Sequence, residues 1–260
     1  MHGPDKTGSG DLPNIAAAIL ERLRVRRPRV HCITNMVAQN FTANMLLAAG
    51  AVPSMTIAAD EVASFVARAD ALLVNLGTFD AERRAAAEIA IEAATDEGIP
   101  WVLDPVFIDR SGQRAAYAKS LVGKRPRVVR LNRAEFGALA GQEAESDALA
   151  RFAVDHLTTI GLTGATDLVT DGVRLITIGN GHPLMESVTA MGCAATALVA
   201  ACLAVESDAV TATAAALLMV DIAGEVAATR ARGPGSFAVE ILDAIHAIDG
   251  ETIERLARVQ

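Results

Sequence analysis

The chain has 260 residues, with 31 Asp and Glu side chains against 23 Lys and Arg, which gives a formal net charge of −8 at pH 7. This acidic balance, without any run of basic residues, argues against nucleic acid as a partner. Apolar residues make up 52% of the chain and aromatic residues only 3%, so we expect an aliphatic, alanine-rich core of a size that fits one α/β domain.

The cysteines and the N-terminus bear on the cellular setting. Cys32, Cys193 and Cys202 show no metal-ligand spacing and leave an odd count, so a reduced, cytosolic environment is expected. Residues 1–12 are polar and glycine-rich, which predicts a disordered leader rather than a signal peptide. Without internal repeats, low-complexity blocks or linkers, residues 13–260 should form a single domain.

The first hundred residues alternate between helical and strand-like patterns. Pro53 lies inside an extended segment and predicts an edge or irregular strand there. The predicted elements are a helix Asn14–Arg26, a strand Arg29–Ile33, a helix capped by Thr34 or Asn35 and reaching Ala49, the extended segment Ala51–Ile57, a short helix Ala59–Ala67, a strand Ala71–Val74, and a helix Asp80–Glu97 capped by Thr78.

The second half continues this alternation and ends in helices. Asn132 and Glu135 have the spacing of a capping box, and Asp171-Gly172 between two apolar runs is a strong hairpin signal. The predicted elements are strands Ile99–Leu103 and Arg127–Leu131, helices Gly112–Val122, Asn132–Ala140 and Ser146–Ile160 (the last stopped by Gly161), hairpin strands Asp167–Thr170 and Val173–Ile178, and helices after Val188 with a break at Gly233-Pro234-Gly235. This order predicts a mostly parallel sheet with helices on both faces.

One segment is apolar enough to be weighed as a membrane span. Val188–Val205 contains 18 residues without a charge, which reaches the usual threshold. It is rich in alanine, however, and begins at a glycine turn, and the following segment Ala209–Val220 has the same character. Two helices buried against a sheet explain the pattern better than a membrane span does.

Polar residues follow the predicted strands, where ligands of parallel sheets bind. They include two carboxylates, an arginine and several Gly/Thr loops, which are the parts that phosphoryl transfer needs. The residues are Thr34, Asn35, Asn75, Gly77, Thr78, Asp104, Arg130, Asn132, Glu135, Thr163, Gly164 and Thr189–Cys193. Each could alternatively be an ordinary cap or turn residue. No P-loop GxxxxGK motif and no GxGxxG after a strand is present.

Cys193 lies where the first turn of an apolar helix should begin. Free N–H groups and the helix dipole favour anions at such a position, and they favour a thiolate over a thiol. We therefore expect Cys193 to be placed for chemistry. The alternative is a small, buried structural cysteine at the start of a core helix.

Six short motifs, in order along the chain, resemble those of the hydroxyethylthiazole kinase family of the ribokinase-like superfamily. The first two distinguish this family from the sugar kinases of the same superfamily. The motifs are His31-Cys32-Ile33-Thr34-Asn35, Asn40-Phe41-Thr42-Ala43-Asn44, Asn75-Leu76-Gly77-Thr78, Leu103-Asp104-Pro105-Val106, Arg130-Leu131-Asn132-Arg133-Ala134-Glu135 and Thr189-Ala190-Met191-Gly192-Cys193.

The resemblance implies a role for each matching position. The family fold is ribokinase-like, and its enzymes are homotrimers with active sites between subunits. The implied roles are substrate binding for Met55, Asn35 and Ala190, ATP-phosphate binding for Arg130 and Thr163, Mg²⁺ binding for Asp104 and Glu135, an anion hole for Met191 and Gly192, and activation of the substrate hydroxyl for Cys193.

The chain departs from the family pattern at three places. Its anion-hole run has Ala190-Met191 where the family has Gly-Thr, and Ala190 disfavours a left-handed backbone by about 1 kcal/mol. Leu131 stands where a glycine usually follows the arginine. Phe107-Ile108-Asp109-Arg110 replaces a loop of small residues.

The expected activity is ATP-dependent phosphorylation of the hydroxyethyl group of 4-methyl-5-(2-hydroxyethyl)thiazole in thiamin salvage, with Mg²⁺ as cofactor. One alternative is a ribokinase-like kinase for another small alcohol, such as a hydroxymethylpyrimidine. The other alternative is a non-catalytic small-molecule binding protein of the same fold, which the altered anion-hole residues suggest. Met191 also lacks the threonine hydroxyl that could contact phosphate in the family pattern.

Overall fold

The computed structural model describes residues 11–260. The predicted leader therefore lies outside the described residues, apart from its last two positions. Leu12, the last of them, is the first residue of helix α1 and is fully buried.

A single sheet of eight strands organises the described part of the chain. Six strands run parallel in the order β2-β1-β3-β4-β5-β6, and the antiparallel pair β7-β8 extends the sheet beyond β6. The strands are β1 (Arg29–Ile33), β2 (Val52–Ser54), β3 (Ala71–Asn75), β4 (Trp101–Asp104), β5 (Val128–Asn132), β6 (Thr159–Thr163), β7 (Asp167–Thr170) and β8 (Leu175–Ile178).

Helices cover both faces of the sheet, as predicted, and each face has its own apolar cluster. Helices α1, α2 and α8–α11 pack on one face, and α3–α7 pack on the other. The helices are α1 (Leu12–Arg26), α2 (Gln39–Ala49), α3 (Val62–Val66), α4 (Ala81–Asp96), α5 (Gly112–Val122), α6 (Arg133–Ala140), α7 (Ser146–His156), α8 (Met191–Leu203), α9 (Ala209–Ala228), α10 (Pro234–Ala247) and α11 (Gly250–Leu256).

Three local predictions are confirmed. The segment around Pro53 is the edge strand β2, where a missing N–H costs no ladder bond. The turn at Asp171-Gly172 joins β7 and β8 as a hairpin. Asn132 caps α6 in a complete capping box with Glu135.

Two predicted helix caps are wrong. Helix α2 begins at Gln39, after a turn, because Thr34 and Asn35 are buried at the end of β1 instead of capping a helix. Helix α4 is capped by Asp80, whose carboxylate accepts from the N–H of Arg83. Thr78 instead accepts a hydrogen bond from the N–H of Met36, which ties two loops at the sheet edge together.

The predicted helix Ser146–Ile160 is also wrong in its second part. Helix α7 ends at His156 with Leu157 in a left-handed conformation, and the chain then enters strand β6. Gly161 is not a helix stop but the middle of β6, where an added Cβ would lie 3.0 Å from the Thr213 side chain of α9. The sequence pattern missed this strand because it follows α7 closely and is buried along almost its whole length, so no alternation of apolar and polar residues marks it.

The apolar C-terminal segments are core helices. Helix α8 spans only 13 residues of the segment Val188–Val205, which was weighed as a membrane span. Among the described residues, α9 is long and apolar enough to cross a membrane, but 83% of its apolar window is buried inside the fold. Helix α10 begins at Pro234, within the predicted break.

Candidate active site

The carboxyl ends of the parallel strands bring the predicted site residues to one edge of the sheet. Asn75 and Asp104 are paired neighbours at the ends of β3 and β4, and Asn132 pairs with Thr163 at the ends of β5 and β6. Asn35 follows β1 directly. Helix α8 begins at this edge, so its first turn faces the same space.

Cys193 lies in the first turn of α8 and contacts Asn35 across the site. The Asn35 amide Nδ2 donates to the Cys193 Sγ at 3.3 Å, and both side chains are buried. Gly77 lies beneath Asn35 so closely that an added Cβ would be 2.4 Å from Asn35 Nδ2. The site therefore needs glycine at this position of the Asn75–Thr78 loop.

The expectation of a Cys193 thiolate is wrong. Burial raises the pKa of this thiol to about 12, and the neighbouring Asp104 carboxylate raises it further. The amides of Asn75 and Asn35 and the charge of Arg130 oppose the shift but do not cancel it. Burial therefore outweighs the helix dipole, and Cys193 is a neutral thiol at pH 7.

Asp104 is the buried carboxyl beside this thiol. Its Oδ2 accepts from Asn75 Nδ2 at 2.7 Å and from Thr196 Oγ1 at 2.8 Å, whereas its buried Oδ1 has no hydrogen-bond partner among the described residues. Burial raises its pKa to about 6, and Arg130 opposes the rise. At neutral pH Asp104 is mostly ionised, so it is a much better proton acceptor than Cys193.

Glu135 uses both carboxylate oxygens within the protein. Oε2 accepts from the N–H of Asn132 at 2.9 Å in the capping box, and Oε1 accepts from the N–H of Phe107 at 3.1 Å. Glu135 therefore also holds the unusual loop after β4, where Phe107 has a left-handed backbone with φ of 59°. Its charge raises the pKa of Asp104, after the larger effect of burial, which places the two carboxylates near each other.

The carboxylates of Asp104 and Glu135 suit Mg²⁺ only in the way this ion usually binds in kinases, with few protein ligands. Among residues 11–260, no group of three or more His, Cys, Asp or Glu side chains could enclose a metal ion. Mg²⁺ is commonly held by one or two carboxylates together with water and substrate phosphates. The unpartnered Oδ1 of Asp104 and the remaining lone pairs of Glu135 match that arrangement.

Arg130 lies at the boundary between Cys193 and a large cavity. The cavity has a volume of about 500 Å³ and is lined by Arg130, Thr163, Met191 and Gly192 at this end. An added Cβ at Gly192 would lie 2.8 Å from Arg130 Nη1, so the guanidinium packs directly on the first turn of α8. The buried Nε of Arg130 has no partner among the described residues.

The turn before α8 has the backbone that the family pattern requires, despite its alanine. Ala190 is the N-cap residue with φ of 72°, in the left-handed region. The N–H of Met191 makes a long bond of 3.4 Å to the Val188 carbonyl. The N–H groups of Gly192 and Cys193 have no partner within the helix, so they remain free to bind an anion.

Met55 lies apart from these groups, directly after the edge strand β2. It is half-buried against the apolar cluster on the α8 face. His31 holds this segment, because its Nε2 donates to the Thr56 carbonyl at 3.0 Å and its Nδ1 accepts from Ser54 Oγ at 2.8 Å. Burial lowers the pKa of His31 to about 4, so this clamp is neutral.

Sequence reasoning missed three functional candidates. Thr196, which donates to Asp104, lies one helical turn after Gly192 and could have been found from helical spacing. Asp167 and Asp221 line the cavity opposite Arg130. They lie in a predicted hairpin and a predicted core helix, where nothing in the sequence distinguishes them from solvent-facing residues.

The fold defines the class of protein, which is a ribokinase-like α/β protein, and helix α8 begins at the carboxyl edge of its sheet. A ribokinase-like superfamily protein from Enterococcus faecalis shares the fold, with a TM-score of 0.68 at 14% identity over 88% of this chain and 93% of that one. The sequence model described as the Hydroxyethylthiazole kinase family matches residues 20–251. The chain therefore belongs to the hydroxyethylthiazole kinase family, as the six motifs predicted.

Two relatives agree with this family over almost their whole lengths. A probable hydroxyethylthiazole kinase of Agrobacterium fabrum is 46% identical over 254 residues, which is 97% of this chain and 98% of the relative. The structure of a hydroxyethylthiazole kinase from Pyrococcus horikoshii has a TM-score of 0.92 at 38% identity, covering 95% of this chain and 98% of that one. Kinase activity on a hydroxyethyl thiazole, in thiamin salvage, is thus the activity of the family.

Proposed function

We propose that the protein transfers the γ-phosphoryl group of ATP to the hydroxyethyl group of 4-methyl-5-(2-hydroxyethyl)thiazole. The observation that carries this proposal is the position of Arg130. Burial raises the pKa of Cys193, Asp104, Asp167 and Asp221, and Arg130 opposes the rise in all four. One guanidinium thus lies between a cavity large enough for a nucleotide and the buried thiol–carboxyl pair.

On the nucleotide side, Arg130 and Thr163 bind the phosphates. A guanidinium offers several donors in a fixed geometry that suits phosphate oxygens. The free N–H groups at Gly192 and Cys193 stabilise the oxygens that gain charge during transfer, and Met191 completes the wall of this anion hole. All of these groups lie at the same end of the cavity.

On the acceptor side, Asn35, Met55 and the backbone at Ala190 bind the thiazole alcohol. The buried Oδ1 of Asn35 has no partner among the described residues, so it is available to accept a hydrogen bond from the substrate hydroxyl. Cys193, as a neutral thiol, positions the hydroxyl. Asp104 then receives the proton, because its pKa of about 6 keeps it ionised at neutral pH.

Glu135 would hold Mg²⁺ at the phosphates of ATP, and Asp104 would hold it through water, which leaves the Asp104 carboxylate able to receive the substrate proton. When bound, the ion neutralises charge on the transferring and leaving phosphates. This role is compatible with the capping box, because each carboxylate oxygen of Glu135 keeps a second lone pair. Binding through water and phosphate is also consistent with the absence of an enclosed metal cluster among the described residues.

The acting form is a homotrimer in the cytoplasm, with active sites between subunits. Exposed apolar side chains lie near the proposed thiazole site: Met36 and Val37 directly after Asn35, Leu47 on α2, which packs against the edge strand β2, and Phe65, which lines a surface pocket with β2. Covering such a patch with a second subunit would also enclose the outer side of the thiazole site. Light scattering after size-exclusion chromatography should give three times the 27.0 kDa chain mass.

A coupled assay for ADP release tests the proposed function. The thiazole alcohol with ATP and Mg²⁺ should support turnover, a hydroxymethylpyrimidine should support it poorly, and a metal chelator should abolish it. Preference for the pyrimidine would identify a different small-alcohol kinase. Thiazole binding without turnover would identify a non-catalytic binding protein, although the left-handed backbone retained at Ala190 favours a working anion hole.

A further inference from the structure

Two carboxyl side chains that have no role in the mechanism above line the same cavity. Asp167 is the first residue of β7. In the antiparallel pairing of β6 with β7, Leu168 lies opposite Leu162, so Asp167 lies opposite Thr163. Asp221 lies in α9, one helical turn after Leu217, which faces Gly161 in the middle of β6. Both carboxyls line the cavity, and their residues are only 5% and 8% exposed.

The two side chains are held against each other. The N–H of Gly164 donates to Asp167 Oδ1 at 2.9 Å, which fixes this carboxyl in the turn after β6. Burial raises the pKa of both groups, that of Asp167 to about 6, and the charge of Asp167 further raises the pKa of Asp221. Of the two carboxyls, Asp221 holds a proton more readily, because it lies beside the charge of Asp167 and can donate to it.

The pair is not fully satisfied by the protein. Asp221 Oδ2 is buried and has no hydrogen-bond partner among the described residues, although its residue lines the cavity. A buried acceptor without a partner is costly, so a ligand that donates hydrogen bonds would stabilise it. Phosphate cannot be that ligand, because it offers only acceptors and negative charge.

We propose that Asp167 and Asp221 bind the vicinal 2′- and 3′-hydroxyls of the nucleotide ribose and make the enzyme select ribonucleotides. This inference depends on the proposed function, which places the phosphates at Arg130 and Thr163. Asp167 lies opposite Thr163 in the sheet, so a group bound at the carboxyl pair is a neighbour of the phosphates, as the sugar of a nucleotide is. Two hydroxyl donors match a carboxyl pair, as carboxylates do for ribose in other nucleotide-binding proteins.

The remaining wall of the cavity suits the base rather than the sugar. Leu217, Val220 and Met185 supply apolar surface, and the loop Gly179–Pro183 closes that side. The cavity lining therefore combines a cation, a carboxyl pair and an apolar wall. A nucleotide presents the matching groups, which are phosphate, ribose and base.

Calorimetric titration of the whole protein with ADP, 2′-deoxy-ADP and 3′-deoxy-ADP tests the inference. The wild-type protein should bind ADP at least about tenfold more tightly than either deoxy form, the size expected for hydrogen bonds to a charged group. Asp167→Asn should bind all three nucleotides with similar affinity. This variant still accepts the Gly164 N–H through its amide oxygen, so the turn is retained. Asp221→Asn, which mimics the protonated acid, should keep the preference.

Two further variants separate the ribose role from general effects. Thr163→Val should weaken all three nucleotides by the same factor, because it alters only a phosphate contact. Asp243→Asn, at an exposed position on α10, removes a charge far from the carboxyl pair and should leave every affinity unchanged.

Equal wild-type affinity for the three nucleotides would overturn the inference while leaving the proposed kinase intact. So would an Asp167→Asn variant that keeps the preference or loses affinity for all three nucleotides alike. Heat from K⁺ or Mg²⁺ binding to the nucleotide-free wild type, absent in Asp167→Asn, would make the pair a cation site instead. Failure of the wild type to bind any nucleotide would overturn the proposed function itself.

Discussion

The amide of Asn35 and the thiol of Cys193, 158 residues apart in the chain, form a buried hydrogen bond of 3.3 Å at the centre of the site. Asn35 follows strand β1, and Cys193 lies in the first turn of helix α8. The contact exists only because β1 ends and α8 begins at the same edge of the sheet. An amide donor satisfies the sulfur without ionising it. In the proposed mechanism the thiol therefore positions the substrate, and the proton passes to a different group.

Replacing Cys193 by alanine should reduce turnover by at least about tenfold, which is the lower range for loss of a positioned polar group. ATP affinity should change less than twofold, because Arg130 and Thr163 remain. Cys193→Ser should retain an intermediate turnover, since a neutral hydroxyl can replace a neutral thiol but not a thiolate. Steady-state kinetics with thiazole and ATP varied separately measure both effects. Unchanged turnover in Cys193→Ala would remove the cysteine from the mechanism.

Asp104 should make activity depend on pH. Since burial raises its pKa to about 6, kcat/KM should fall with unit slope as the pH drops below about 6. A thiolate mechanism would instead give activity that rises with pH far above neutrality, because the pKa of Cys193 is about 12. A pH–rate profile between pH 5 and 9 distinguishes the two, after a check that the protein stays folded throughout.

The same carboxyl should limit stability. Its pKa is raised from 3.8 to about 6, so the folded state binds the proton more tightly, and the free energy of unfolding falls as pH rises from about 4 to about 6. At pH 7 Asp104→Asn should therefore be more stable, by about 2 kcal/mol as an order of magnitude. Its turnover should fall at least about a hundredfold. A lower melting temperature for this variant would contradict the assignment of burial as the dominant effect.

Glu135 combines a structural role with the proposed metal role, and two substitutions separate them. Glu135→Gln keeps one oxygen for the Asn132 N–H of the capping box but turns its NH₂ toward the Phe107 N–H, so it should lose part of the stability that Glu135→Ala loses, while its Mg²⁺ requirement should rise. Glu135→Ala removes the cap as well and should lose about 1 kcal/mol of stability. Thermal melts and Mg²⁺ titrations of the kinase rate measure the two effects. A Glu135→Gln variant with a normal Mg²⁺ titration would limit this residue to its structural role.

Ala190 carries backbone strain that glycine would relieve. With φ at 72°, Ala190→Gly should stabilise the protein by about 1 kcal/mol, and by a few degrees in melting temperature. The same substitution in the middle of α8, Ala197→Gly, is the matched control and should destabilise by about 1 kcal/mol. Differential scanning calorimetry of both variants is the measurement. Destabilisation by both would show that the left-handed backbone at Ala190 costs nothing.

Gly192 keeps room for Arg130. An added Cβ would lie 2.8 Å from Arg130 Nη1, so Gly192→Ala should displace the guanidinium and raise the KM for ATP about tenfold or more. The KM for the thiazole should change much less. Gly112→Ala is the control, because its Cβ would meet nothing within 4 Å and it too lies at a helix start. Equal effects of both substitutions would exclude the steric explanation.

Much of the fold followed from local sequence signals. The capping box at Asn132, the hairpin at Asp171-Gly172 and the edge position of Pro53 were predictable because each depends on a few neighbouring residues. The buried strand β6 was not, because it follows helix α7 closely and its own residues are buried without alternation. The predicted helix caps at Thr34 and Thr78 were wrong for tertiary reasons. Thr34 is buried at the end of β1, and the Thr78 hydroxyl accepts from the N–H of Met36.

The sequence by itself determined the family and the candidate positions for the chemistry, because short motifs identify residue types without their surroundings. Only the tertiary structure decided their charge states. Burial beside Asp104 makes Cys193 a thiol, where the helix dipole alone predicted a thiolate. It also brought Asp167 and Asp221 to the cavity opposite Arg130. Desolvation depends on atoms from strands and helices far apart in the chain, so no local pattern could have revealed either result.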